Sequence, residues 1–169
     1  MIVNENISNN LHYLREIKCR CWRRFEAPLC DGGTLRYEVA RLFEDIRLVV
    51  SQYLRTVDHG GTPIQVNSAL RCVPYNTVVY KDQGLPHPKK PSRHCYGEAL
   101  DLVCPDGMPR EVFWGIAHDL NPQGGVGFYR LWEKGLGGVH VDICESPPSR
   151  RWYQRSDGGV EAGLPVELA

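Results

Sequence analysis

The apolar positions of the chain follow two different periods, and the change from one to the other marks out its elements. Leu35, Val39, Leu42, Phe43, Ile46, Val49, Val50 and Tyr53 recur at spacings of three and four, with Arg41, Glu44, Asp45 and Arg47 between them. That is one apolar stripe over about five helical turns, with Thr34 placed to cap it. Val112, Phe113, Ile116, Ala117 and Leu120 form a second stripe just after Pro109, a residue suited to a helix start. A shorter helical piece is predicted over 75–80. Residues 64–68, 99–104, 126–131 and 139–143 read as strands, alternating or continuously apolar, and turn residues separate them: Gly60-Gly61, Asp106-Gly107, Gly124-Gly125 and Gly135 to Gly138. Helices early and in the middle, with strands between glycine-rich turns, predict an α+β fold. Its sheet is small, central and mainly antiparallel, backed by helices.

Residues 11–33 look irregular, with Trp22 and Phe25 expected to pin them to the core and Asp31-Gly32-Gly33 to end them in a turn. The proline-rich loop over 82–91 is expected to form a cleft wall. Trp152 and Tyr153 are expected to pack back on the domain, and 160–169 to be a short polar tail. The 169 residues make one domain with a core over about 11–153.

Composition narrows the classes. Twenty basic and twenty acidic residues cancel, so no global pull towards nucleic acid or an anionic membrane is expected. No apolar run is long enough for a transmembrane helix. The polar start lacks the pattern of a signal peptide, so a protein made in the cytoplasm and acting as a monomer is the expectation. Seven cysteines is an odd number for a fully paired scaffold. Cys19, Cys21 and Cys30 could hold a metal only if another ligand joined them; the simpler reading is buried thiols, with one disulfide if the protein is exported.

The candidate chemistry lies in two pieces. Asp101 is the one charge in the strand Ala99-Leu100-Asp101-Leu102-Val103, where a lone carboxylate is costly unless paired, hydrogen-bonded or metal-bound. In Val139-His140-Val141-Asp142-Ile143, period two sends the apolar residues to one face and His140 with Asp142 to the other. His94 precedes Asp101 by seven residues, with Gly97 between them. His94, Asp101 and His140 are therefore the ligand set expected for a catalytic metal, Zn2+ with one position left open in an open cleft. Asp142, one strand repeat from His140, could take a proton as general base. Each residue also has an ordinary reading: His94 as part of a polar loop, Asp101 as an acceptor of backbone N–H groups or a partner of Arg71. His12, His59, His87 and His118 stand outside the set, and Cys95 beside His94 lacks the partners of a nucleophile.

Ser92-x-His94-x-x-Gly97-x-Ala99-x-Asp101 followed by Val139-His140-Val141-Asp142 resembles the zinc D-Ala-D-Ala carboxypeptidase family, which includes phage L-Ala-D-Glu endopeptidases. Asn67-Ser68-Ala69-Leu70-Arg71 with Asn76 resembles the segment bearing that family's substrate-facing arginine. Gly124 to Tyr129 and Arg151-Trp152 also agree with it, and Cys19-Arg20-Cys21 resembles a stretch in one subgroup. The resemblance implies an α+β fold, zinc on His94, Asp101 and His140, and hydrolysis of an amide bond in the peptide stem of bacterial peptidoglycan. It implies that Arg71 binds a substrate carboxylate or polarises the scissile carbonyl, and that Ser92 supports the site from behind. A leaderless wall hydrolase of this kind fits a phage lysin. The sequence departs at the base: Gly137 stands where many members carry an acidic residue, leaving Asp142 and then Glu133 as candidates. That departure keeps open a non-catalytic zinc-binding or cell-wall-binding module of the same fold.

Overall fold

The computed structural model describes residues 17–26, 29–57, 60–82, 84, 90–130, 137–144, 150–154 and 159–163. They form three helices and a six-stranded sheet, an α+β arrangement. The helices are α1 (Tyr37–Tyr53), α2 (Val73–Asp82) and α3 (Arg110–Leu120); the strands are β1 (Val66–Ser68), β2 (Ala99–Val103), β3 (Gly125–Tyr129), β4 (Gly138–Asp142), β5 (Arg151–Gln154) and β6 (Val160–Ala162). The sheet order is β1-β2-β4-β3-β5-β6, antiparallel throughout except where β5 runs parallel to β3. No helix among the described residues is long and apolar enough to cross a membrane.

The apolar face of the sheet is built by alternation. Leu100 and Leu102 of β2, Val126 and Phe128 of β3, and Val139 and Val141 of β4 are buried in one cluster with Val39, Phe43, Ile46 and Val50 of α1 and Phe113 and Ala117 of α3. α3 packs on β3 and β4, and α1 packs on α3. The opposite face of the same strands carries Asp101, His140 and Asp142, which are also buried. Burying both faces requires that every polar atom on the second face find a partner.

Several expectations change. α1 starts at Tyr37, not Thr34, and its N-cap Arg36 makes no side-chain cap; the Arg36 N–H instead donates to the Gly97 carbonyl at 2.8 Å. In α3 the buried stripe turns towards Trp114, leaving Leu120 exposed. Trp22 does not pin the early segment, being 54% exposed; Ile17, Cys19 and Cys21 enter the core in its place, with Phe25 against it. Val160–Ala162, expected in the tail, is the sheet's edge strand. All seven cysteines are free thiols.

Candidate metal centre

The sheet register sets out the site. Asp101 of β2 lies directly opposite His140 of β4, which lies opposite Gly127 of β3, which lies beside Trp152 of β5. A Cβ on Gly127 would enter the Trp152 indole, so the missing side chain is what lets the ring settle there, 5.1 Å from the His140 ring. His94 comes from outside the sheet, on the 3-10 turn Arg93–Tyr96. The Ser92 hydroxyl accepts from the His94 N–H at 3.4 Å at the start of this turn, and Gly97, at φ 68°, ends it. A Cβ at Gly97 would run into the Thr34 carbonyl, so glycine is required there for conformation and for space.

Three ligand atoms converge. His94 Nε2 lies 3.2 Å from Asp101 Oδ1, and His140 Nδ1 lies 2.8 Å from the same oxygen. Zinc with arms of about 2.0–2.2 Å at the tetrahedral angle would set its ligand atoms about 3.3–3.6 Å apart. At 3.2 and 2.8 Å the observed spacings fall short of that range, so a bound zinc would have to part these atoms. The far atom of each ligand is already engaged. His94 Nδ1 meets the Ala69 carbonyl at 2.6 Å, His140 Nε2 meets Asp142 Oδ2 at 3.1 Å, and Asp101 Oδ2 accepts from Arg71 Nη2 at 2.5 Å. Such partners fix the tautomer of each imidazole and turn one lone pair inward, the arrangement found behind metal-binding histidines. These residues fit a divalent metal.

The charges suit a metal at His94 and Asp101 and oppose one at His140. Burial, helped by the Arg71 charge, pushes the His94 imidazole down to about 4, so it stands neutral and ready to donate a lone pair. Burial alone would lower His140 too, but its hydrogen bonds to Asp101 and Asp142 push it up to about 9. Without a metal, His140 holds a proton between the two carboxylates, and ligation must displace it. Burial would raise Asp101, yet His94, Arg71 and His140 hold it well below the usual carboxylate range. Asp142 is likewise lowered against burial, to about 2, by its hydrogen bond to His140 and the charges of His140 and Arg150.

Asp142 therefore sits behind His140, with both oxygens in use. Oδ1 accepts from Arg150 Nη2 at 2.5 Å and from the Cys144 N–H at 3.0 Å, and Oδ2 meets His140. This geometry suits a residue that orients a ligand better than a base poised over the inward nitrogen. Arg71 makes the pair with Asp101 that its ordinary reading allowed: its Nε donates to Ser68 Oγ at 2.8 Å while Nη2 holds Asp101. Arg150 and Tyr129 are site residues that the sequence reading missed. Trp152 Nε1 donates to the Tyr129 hydroxyl at 3.1 Å. Their signal was phase: Arg150, Trp152 and Tyr129 share the face of Gly127 by period two.

A pocket of about 430 Å³ opens on this group. Its lining includes Arg71, Lys90, Arg93 and Arg150, with Tyr80, Tyr129 and Trp152; the carboxylates among the described lining residues are Asp101 and Asp142. The expected cleft-wall loop contributes Lys90 and Pro91, Asp82 ends α2, and residues 83 and 85–89, like Glu133, His12, His59 and His87, lie outside the described residues. His118 stacks on Trp114, away from the site. The Cys95 thiol is raised by burial, which disfavours the nucleophilic thiolate. No family model, curated protein or solved structure matches the chain.

Proposed function

We propose that this protein is a zinc-dependent hydrolase that cuts an amide bond in the peptide stem of bacterial peptidoglycan. The observation that carries the reading is the convergence of His94 Nε2, Asp101 Oδ1 and His140 Nδ1, each held from behind by its own partner. Three protein ligands of N and O type are the usual set of a catalytic zinc site, whereas structural sites are closed by four. Bound there, zinc would acidify a water and polarise a carbonyl. The substrate class rests on the motif resemblance and is supported by charge: Arg71, Lys90, Arg93 and Arg150 face one pocket, and peptidoglycan stems carry free carboxylates. A guanidinium fork binds a carboxylate in a fixed orientation, which would position the stem.

In this reading Ala69, Asp142 and Arg71 orient the three ligands, Trp152 walls the site beside His140, and the pocket's cations orient the substrate. Asp142 is committed to His140 and Arg150, so Glu133 is the carboxylate to test for taking the proton. Those engagements of Asp142, with Gly137 in the family's usual base position, favour one second reading: a zinc-binding or wall-binding module without hydrolysis.

Purified peptidoglycan incubated with zinc-loaded protein separates the two, with chelated protein and His140→Ala as controls. Mass analysis should find stem fragments with new amine termini in the zinc-loaded sample alone. Sedimentation of zinc-loaded protein with the wall but no released fragment would establish the binding module. No stoichiometric metal at His94, Asp101 and His140 would sink both.

A further inference from the structure

The sequence leaves Cys19, Cys21 and Cys30 one ligand short. The fold supplies it: Cys72, on the link between β1 and α2, brings a fourth thiol, and the four sulfurs lie within 4.8 Å of one another. We propose that Cys19, Cys21, Cys30 and Cys72 form a second, structural zinc centre that fastens the segment 17–32 to the link carrying Arg71.

Geometry favours a metal over disulfides. Zn–S bonds of about 2.3 Å at the tetrahedral angle would set sulfurs about 3.8 Å apart; Cys21 Sγ and Cys30 Sγ are 3.7 Å apart. A disulfide needs about 2.05 Å, and none of the four is bonded to another. The backbone is already turned towards thiolates. The Cys72 N–H donates to Cys19 Sγ at 3.1 Å, and the Leu29 N–H donates to Cys21 Sγ at 3.3 Å. Hydrogen bonds of this kind stabilise the charge that a metal-bound sulfur carries. Burial raises the Cys30 thiol to about 11 and raises Cys19 and Cys72 as well, so the metal must displace protons to bind.

The surroundings read as a fastening. Cys19 N–H donates to Gly32 O at 3.0 Å, Leu70 N–H to Ile17 O at 3.1 Å, and Arg20 Nη1 to Asn67 O at 2.8 Å. Ile17 to Arg20 are thus laid along Val66 to Cys72 by backbone and side chain, and a four-thiolate metal would lock the two together. Four protein ligands leave no open position, which fits structure and not catalysis. Arg71 lies between Leu70 and Cys72, so this lock also fixes the residue that grips Asp101.

The test uses wild-type protein purified with reductant and without chelator. Native alkylation followed by mass mapping should spare Cys19, Cys21, Cys30 and Cys72, and all four should react together once a strong chelator is added. Cobalt exchanged into the protein should give an intense thiolate-to-cobalt band in the near ultraviolet, and His94→Ala should keep that band with one zinc per chain. Four cysteines that alkylate alike with and without chelator, cobalt bound with no thiolate band, two disulfides, or iron in place of zinc would each overturn the assignment. The first centre fails separately. Wild-type protein holding one zinc, with the thiolate band intact, would discredit the His–Asp–His site and leave this one standing.

Discussion

β4 has two faces that differ by one residue of phase and are held by different physics. Val139 and Val141 look into a cluster built from both helical stripes and two neighbouring strands. His140 and Asp142 look the other way into matched pairs: His140 Nδ1 to Asp101, His140 Nε2 to Asp142, Asp142 Oδ1 to Arg150. The apolar face is non-directional, so its contribution scales with area removed from water and tolerates volume-conserving repacking. The polar face is directional: Asp101 Oδ1 meets both imidazoles, Asp142 Oδ1 accepts from Arg150 and the Cys144 N–H, and such partners cannot be exchanged by repacking. Changes on the first face should therefore appear as stability, and changes on the second as metal affinity and turnover.

The largest expected effect is on the polar face. His140→Ala removes a ligand, and the remaining pair should hold no metal at this centre after dialysis. The fold should persist, because Asp101 keeps Arg71 and His94 while Asp142 keeps Arg150. Metal analysis with circular dichroism checks both halves. Full retention of metal at this centre would remove His140 from the ligand set. Leu100→Ala is the counterpart on the apolar face: Leu100 is fully buried, and such truncations cost about 2–5 kcal/mol. Denaturant unfolding should register that loss, while the folded fraction binds metal with unchanged affinity. A Leu100→Ala protein of normal stability but weak metal binding would break the comparison.

Arg71→Ala comes next. It takes away the partner of Asp101 Oδ2 and a pocket cation together. Metal affinity should fall about 10–100-fold, as for other groups that orient a ligand, and turnover should stay low even when excess zinc refills the site. Lysine should restore little, because one ammonium cannot reach both Ser68 Oγ and Asp101 with the guanidinium's geometry. Full recovery of turnover in excess zinc would confine Arg71 to holding Asp101 and remove it from substrate binding.

What was legible in the sequence was whatever depends on phase. Period two along Val139 to Asp142 separates core from site, and the pairing of Asp101 with His140 follows once β2 and β4 are neighbours. Long-range partners were not legible. The start of α1 is set by the Gly97 carbonyl, sixty-one residues on from Arg36, so a local capping rule at Thr34 could not find it. Cys72 lies fifty-three residues from Cys19 and joins it only through the fold. Trp22 and residues 160–162 departed from expectation for a related reason, since side-chain type says what a residue would gain by burial but not whether a partner is present. Asp142 was placed on the correct face by phase, yet its role depends on Arg150, whose phase just ahead of β5 points to Asp142 only once β5 is docked beside β3.

The smallest expected effect is also the sharpest test of that last point. Asn has nearly the shape of Asp, and in Asp142→Asn its amide oxygen can still accept from His140 Nε2, keeping the tautomer that turns Nδ1 inward. The NH2 group must then face Arg150 and the Cys144 N–H, both donors, where Asp142 Oδ1 now accepts from each. Turning the amide round satisfies those two donors and sets its NH2 against His140. Asn can serve one side only, so zinc affinity should fall by about tenfold, the low end for such partners, worth roughly 1.4 kcal/mol. Asp142→Ala, which serves neither, should fall further. Turnover of the Asn variant should return when zinc is raised, because the catalytic groups are still present. If zinc instead binds normally and turnover drops by about 10²–10⁴-fold, the size of a lost general base, then Asp142 takes the proton itself. Its contacts with Arg150 and His140 would then have to loosen when substrate enters. Measuring affinity and rate on the one variant, with Glu133→Gln beside it, decides which carboxylate is the base.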